Sequence, residues 1–83
     1  MRKGLDTNII VYALDNSDRE RHRKAVQIVE DLFENPANYA VAVQILAESV
    51  YVVKRKYPPA IETLLRLIDL ISSVQGVKIV RYG

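Results

Sequence analysis

The chain has 83 residues, 49% of them hydrophobic and 27% charged, a formal net charge of +2 and a pI near 9.0. That is the composition of one small folded domain with little stability in reserve, not of a disordered tail. With no cysteine and one histidine, His22, disulfides and Cys- or His-rich metal sites are excluded, which leaves carboxylates as the metal ligands to look for.

The N-terminus, Met1-Arg2-Lys3, is basic, but Asp6 follows and no small-residue cleavage site does. No apolar run approaches the ~18 residues of a membrane span, so neither a span nor a signal peptide is expected, and a cytoplasmic location fits best. Arg2 to Leu5 predicts a short strand ending at Asp6, and Thr7 to Leu14 a helix that starts at once. Thr7 or Asn8 is placed to cap it. Asp15-Asn16-Ser17-Asp18 is a polar break, and Ser17-x-x-Glu20 matches a capping box that opens a second helix over 18–34. Its apolar positions Ala25, Ile28, Val29, Leu32 and Phe33 fall at helical spacing.

Asn35-Pro36-Ala37-Asn38 ends that helix, and Tyr39 to Val43 reads as a charge-free strand, buried on both faces in a parallel sheet. Gln44 to Lys56 predicts a helix, although Tyr51-Val52-Val53 within it favours strand. Pro58-Pro59 breaks the chain and starts another helix to Gln75, with Ile61, Leu64, Leu65, Ile68 and Ile71 on one face and Gly76 as its stop. Val77 to Val80 is a third strand. The order β-α-α-β-α-α-β points to an α/β fold with a short parallel sheet and right-handed crossovers.

Two carboxylates stand alone in this pattern. Asp6 is the only charge between Lys3 and Asp15, and Glu48 the only one from Asn35 to Val53. A buried ionised group is costly unless a cation or hydrogen-bond donors compensate it, so the pair predicts one buried acidic site. In parallel sheets ligands bind beyond the carboxyl ends of the strands. Asp6 sits at such an end, and Glu48 in the first turns of the helix after the second strand, over the same rim. Two carboxylates without His or Cys suit a hard cation, Mg²⁺ or Mn²⁺. Such an ion acidifies bound water and stabilises charge on a phosphodiester under in-line attack. The ordinary readings are a helix cap for Asp6 and a plain helical glutamate for Glu48. An acyl-phosphate role for Asp6 ranks behind these, because its neighbours are Thr7 and Asn8 and no second acid is close in sequence.

Arg19-Glu20-Arg21-His22-Arg23-Lys24 places four cations in the first turns of a helix, where the macrodipole prefers acids. Arg19, Arg21, Arg23 and Lys24 are therefore candidate phosphate contacts, with a solvated face as the alternative. Lys54-Arg55-Lys56 sits at a helix end that favours cations. His22 is expected to belong to the surface and not to act as a general base, and Glu62 and Asp69 to lie on the outer face of the last helix.

Leu5-Asp6-Thr7-Asn8-Ile9-Ile10-Val11-Tyr12-Ala13, then Arg21-His22 with Ala25, then Val43-Gln44-Ile45-Leu46-Ala47-Glu48, resemble the PIN domain, particularly the VapC-type toxin ribonucleases of toxin–antitoxin pairs. The resemblance implies a three-layer α/β fold and Mg²⁺- or Mn²⁺-dependent cleavage of RNA. Asp6 and Glu48 would be metal-ligating catalytic acids, with Thr7 near the metal's water shell and Asn8 fixing the local turn. It also implies an antitoxin protein as a partner. The family carries further acids after the third strand and at the end of the fourth, whereas this chain has no Asp or Glu after Asp69. Residues 1–83 are thus expected to form a single, incomplete PIN-like domain, ending before the last helices and strands. In the family's sheet the first strand pairs with the fourth, so the strand before Asp6 is expected to be an exposed apolar edge, covered in a homodimer or swapped oligomer. Two functions follow: a metal-dependent ribonuclease or its remnant, or a non-catalytic fragment acting as a dimerisation or antitoxin-binding module.

Overall fold

The computed structural model describes residues 2–81; Met1, Tyr82 and Gly83, which the sequence reading includes in its single unit, lie outside them. The chain runs β1 (Lys3–Gly4), α1 (Thr7–Leu14), α2 (Arg19–Glu34), a 3₁₀ turn (Pro36–Asn38) and β2 (Tyr39–Ala42). It continues as α3 (Val43–Lys56), a second 3₁₀ turn (Pro58–Ala60), α4 (Ile61–Ser73) and β3 (Lys78–Val80). The strands pair in parallel in the order β1-β2-β3, so the α/β class and the β-α-α-β-α-α-β order expected from the sequence are both present.

Every layer sends a side chain into one core. Ile10 of α1, Leu32 of α2, Val41 of β2, Val53 of α3, and Leu64 and Ile71 of α4 are fully buried. Val53 also explains why Tyr51-Val52-Val53 is helical despite its strand propensity, since packing overrides a weak local preference. Within β2, Tyr39 and Val41 are buried while Ala40 and Ala42 are half-buried, so the strand is not buried equally on both faces as expected.

Several boundaries differ for local reasons. The second helix is capped by Asp18, whose carboxylate accepts from the Arg21 N–H at 3.2 Å. The Ser17 cap expected from the sequence is not made; Ser17 donates its own N–H to the Asp15 carboxylate at 3.0 Å. The last helix starts at Ile61, because Pro58 and Pro59 hold a tighter turn closed by Ala60 N–H to the Tyr57 carbonyl at 2.9 Å. It ends at Ser73, before Gly76, whose φ of 104° only glycine adopts readily. A Cβ on Gly76 would also sit 3.3 Å from the Pro36 ring.

Only Lys3 and Gly4 of the first strand pair with β2, and both are exposed, while Leu5 turns into the core. The expected apolar edge is therefore a two-residue edge carrying a lysine, a form that resists edge-to-edge pairing. Arg2 ties it down, donating to the carbonyls of Tyr39 at 3.1 Å and Gly76 at 2.8 Å. On the other side of the start of β2, the buried Tyr39 hydroxyl donates to the Asp31 carboxylate at 2.6 Å. That bond, with burial and the nearby negative charge, pushes the Tyr39 phenol up to about 12, and with Asn35 it holds Asp31 below its ordinary value.

Leu64→Ala is expected to cost about 2–5 kcal/mol by urea unfolding. Its neighbour Leu65, 50% exposed, should change stability by less than about 1 kcal/mol when truncated. The Tyr39 bond stabilises the fold fully below the phenol's ordinary pKa of 10.0 and is lost as pH rises toward about 12. Tyr39→Phe should accordingly be less stable at neutral pH and show a flatter fall of stability across that alkaline window.

Candidate active site

Leu5 is nearly buried and Ile10 fully so, and the turn between them brings Asp6 out at the start of α1. Asp6 has an extended backbone, and its Oδ1 accepts from the Ile9 N–H at 2.9 Å. It is the helix N-cap, its charge beside the positive end of the helix dipole. Thr7 and Asn8, proposed as caps from the sequence, are instead the first two helical residues.

The Thr7 hydroxyl points to α3 and donates to Glu48 Oε2 at 3.0 Å. This bond, across 41 positions of sequence, sets Glu48 of α3 against the residue that follows Asp6. The expected burial is not found: Asp6 and Glu48 are both exposed. Leu46, Ser49 and Val53 take the core-facing positions of α3, and Glu48 lies between them in sequence but on the outer side of the helix. The residues one turn away from Glu48 leave it open to water, since Ile45 and Val52 are only half-buried and Gln44 and Tyr51 are exposed.

The oxygens gathered here are two carboxylates and a hydroxyl open to water. That set suits a hard cation that keeps several waters and binds through one or two carboxylates. Among the described residues no group of three His, Cys, Asp or Glu could hold a metal ion.

Beside Asp6 lies an open depression of about 280 Å³ between α1 and α2, rimmed by Asp6, Asn8 and Tyr12 on one side and Arg21 and Lys24 on the other. Of the four candidate phosphate contacts, Arg21 and Lys24 thus share a surface with the acid, while Arg19 and Arg23 are exposed but outside its lining. Arg21 donates to the Tyr12 hydroxyl at 2.7 Å, has its guanidinium 5.4 Å from the centre of the Tyr12 ring, and approaches Asp18 at 3.5 Å. Lys24 meets Glu20 at 3.3 Å. These acids offset the unfavourable placement of cations at the start of α2.

His22 is half-buried, with Nδ1 2.8 Å from the Tyr12 carbonyl. A carbonyl only accepts, so the ring donates from Nδ1 and satisfies a free carbonyl in the last turn of α1. The histidine clamps α1 to α2 rather than lying free on the surface. Nearby, hydrogen bonds from Ser17 and Tyr57 hold the Asp15 carboxyl below its ordinary value. Tyr12 shares the rim of the depression and is not among the residues the sequence singles out. Its signal was present: Tyr12 stands four residues after Asn8, on the same helical face.

The family model of the PIN domain matches residues 4–81, a span that holds Asp6, Thr7, Asn8, Glu48 and the whole α1–α2 depression. The chain belongs to the PIN domain family. No curated protein matches it. PIN domains are typically nucleases and generally use divalent metal ions.

In this PIN domain the cap and the charge of Asp6 are separable. Asp6→Ala should cost about 0.5–2 kcal/mol of stability through loss of the cap. Asp6→Asn should stay within about 0.5 kcal/mol of the parent chain, because asparagine caps as well as aspartate. Thermal or urea unfolding of both variants checks this.

Proposed function

We propose that this PIN domain is a Mg²⁺- or Mn²⁺-dependent endoribonuclease of the VapC type, with Asp6 and Glu48 holding the ion. The observation that carries the reading is the Thr7–Glu48 hydrogen bond at 3.0 Å, which sets the α3 acid beside the residue that follows Asp6. A bound ion would supply an acidified water and stabilise negative charge on the phosphodiester. The chain's own residues do the rest. Thr7 orients Glu48 and stands near the ion's water shell, Asn8 lines the depression beside Asp6, and Arg21 and Lys24 hold the RNA backbone. Residues 1–83 act as one unit. A cytoplasmic location and an antitoxin partner belong to the same reading, and no helix of the described residues is long and apolar enough to cross a membrane.

A second reading takes the chain as a non-catalytic PIN fragment that works through its interfaces, as a homodimer, a swapped oligomer or an antitoxin-binding module. It is supported by an apolar depression of about 440 Å³ between α3, α4 and β3. Val43 and Leu65 on its lining are 39% and 50% exposed.

A Mn²⁺ titration of the parent chain, Asp6→Asn and Glu48→Gln, followed by RNA cleavage on the same samples, separates the two. The ribonuclease reading expects saturable binding and at least about a 100-fold loss of cleavage in either variant, since even residues outside a metal's ligand set cost 10–100-fold. Cleavage unchanged in Asp6→Asn would remove it. A chain that neither binds Mn²⁺ nor cuts RNA, yet is dimeric by light scattering, would leave the second reading standing.

A further inference from the structure

We propose that the depression between α1 and α2 is a nucleobase pocket, holding one base of single-stranded RNA next to Asp6; the proposal rests on the ribonuclease reading for its substrate class. Its floor is apolar, made by Ile9, Ala25 and Ile28. A site built only to hold a phosphate has no use for such a floor, whereas the face of a base does. The volume of about 280 Å³ lies at the small end of ligand pockets, which suits one nucleotide and not a helix or a folded partner.

The rim carries the groups that base recognition uses. Arg21 lies over Tyr12 with its guanidinium 5.4 Å from the ring centre, and together they present the aromatic and guanidinium surfaces on which unstacked bases pack. The Asn8 amide offers both a donor and an acceptor to a base edge. Lys24 stands where the adjoining phosphate would pass. Its partner Glu20 and the Asp18 partner of Arg21 are exposed, with side-chain exposures of 70% and 48%. Such ion pairs are weak and yield easily to a phosphate.

The platform is also held in place before any ligand arrives. Arg21 is fixed by the Tyr12 hydroxyl at 2.7 Å, and the backbone beneath Tyr12 by His22 at 2.8 Å. Ordering these side chains in advance lowers the entropic cost of binding. The base pocket and the acid rim share Asp6, so a base seated here lies beside the phosphodiester presented to Asp6 and Glu48.

The test is binding of four fluorescent RNA hexanucleotides, one for each base, in EDTA, followed by anisotropy. A matching set carries one abasic position. Arg21→Lys keeps the charge and loses the flat surface, so the proposal expects about 5- to 150-fold weaker binding of the best hexanucleotide, the range of one lost stack. The salt dependence should stay unchanged. Arg21→Ala should in addition lower the slope of log K against log salt by about 0.7. The abasic oligomer should bind the parent chain as weakly as the intact one binds Arg21→Lys, and the two losses should not add, because they remove one contact. Circular dichroism of each variant and a remote Lys54→Ala control guard against unfolding.

Equal affinity of parent and Arg21→Lys within about 2-fold, equal binding of intact and abasic oligomers, or no binding by the parent chain would each overturn the pocket. Cleavage in Mn²⁺ with binding insensitive to Arg21→Lys leaves the nuclease and removes the pocket. Binding that depends on Arg21 and on the base, without cleavage, keeps the pocket and removes the nuclease.

Discussion

The turn Leu5-Asp6-Thr7 is the constraint on which the site depends. Three consecutive side chains take three directions: Leu5 into the core, Asp6 along the start of α1, and Thr7 across to Glu48 on α3. Burial of Leu5 fixes the end of the strand, and the 2.9 Å bond from the Ile9 N–H fixes the carboxylate that follows. A helix can begin at Thr7 without delay because the Ile9 N–H, one of its free first-turn donors, already has an acceptor. The α1–α3 contact is then not only apolar packing but a polar bond with a defined length, which sets where Glu48 stands relative to Asp6.

The start of α2 shows a second constraint resolved by proximity. Cations in a first helical turn oppose the macrodipole, yet Asp18 caps this one and Glu20 lies within its first turn. Arg21 and Lys24 each find an acid three or four residues back. The cost of the arrangement is small, and its product is a pair of cations on the same surface as Asp6. The depression exists because Tyr12 and His22 hold α1 and α2 together at their far end while Ile9, Ala25 and Ile28 line its base.

Much of this was legible in the sequence, and the reasons for success and failure are physical. Element order came through because hydrophobic period and breakers agree: Ala25, Val29 and Leu32 are buried where the 3.6 period put them, and Pro58-Pro59 does interrupt the chain. The approach of Glu48 to the start of α1, beside Asp6, came through because parallel topology sends a strand end and the helix after the next strand to one rim. The burial of the two acids did not. A lone charge in an apolar stretch reports its neighbours along the chain, while a helix turns successive residues by about 100°, enough to bury Leu46 and Ser49 and leave Glu48 outside. The cap of α1 is Asp6, its ordinary reading, and not Thr7 or Asn8, while that of α2 is Asp18 and not Ser17, since adjacent polar residues compete for the same free N–H and only backbone geometry decides. The Arg2, Tyr39 and Asp31 bonds, which brace β2 from two sides, join residues that no local pattern connects.

In the proposed site one residue would have two roles. Asp6 Oδ1 is committed to the Ile9 N–H, and a carboxylate held by a backbone donor has fewer orientations than a free one. A metal ligand benefits from such restraint, because partners outside the coordination shell orient the atoms inside it. The cap that starts α1 is in this sense also the support for the proposed ion site, and Thr7 does the same for Glu48 from the next position along the chain. Substitutions at either acid consequently mix fold and function unless the replacement preserves the hydrogen bond. Asparagine at 6 preserves it and alanine does not, so the difference between those two variants measures the cap alone. What asparagine still lacks relative to the parent chain is charge, the quantity a divalent cation reads.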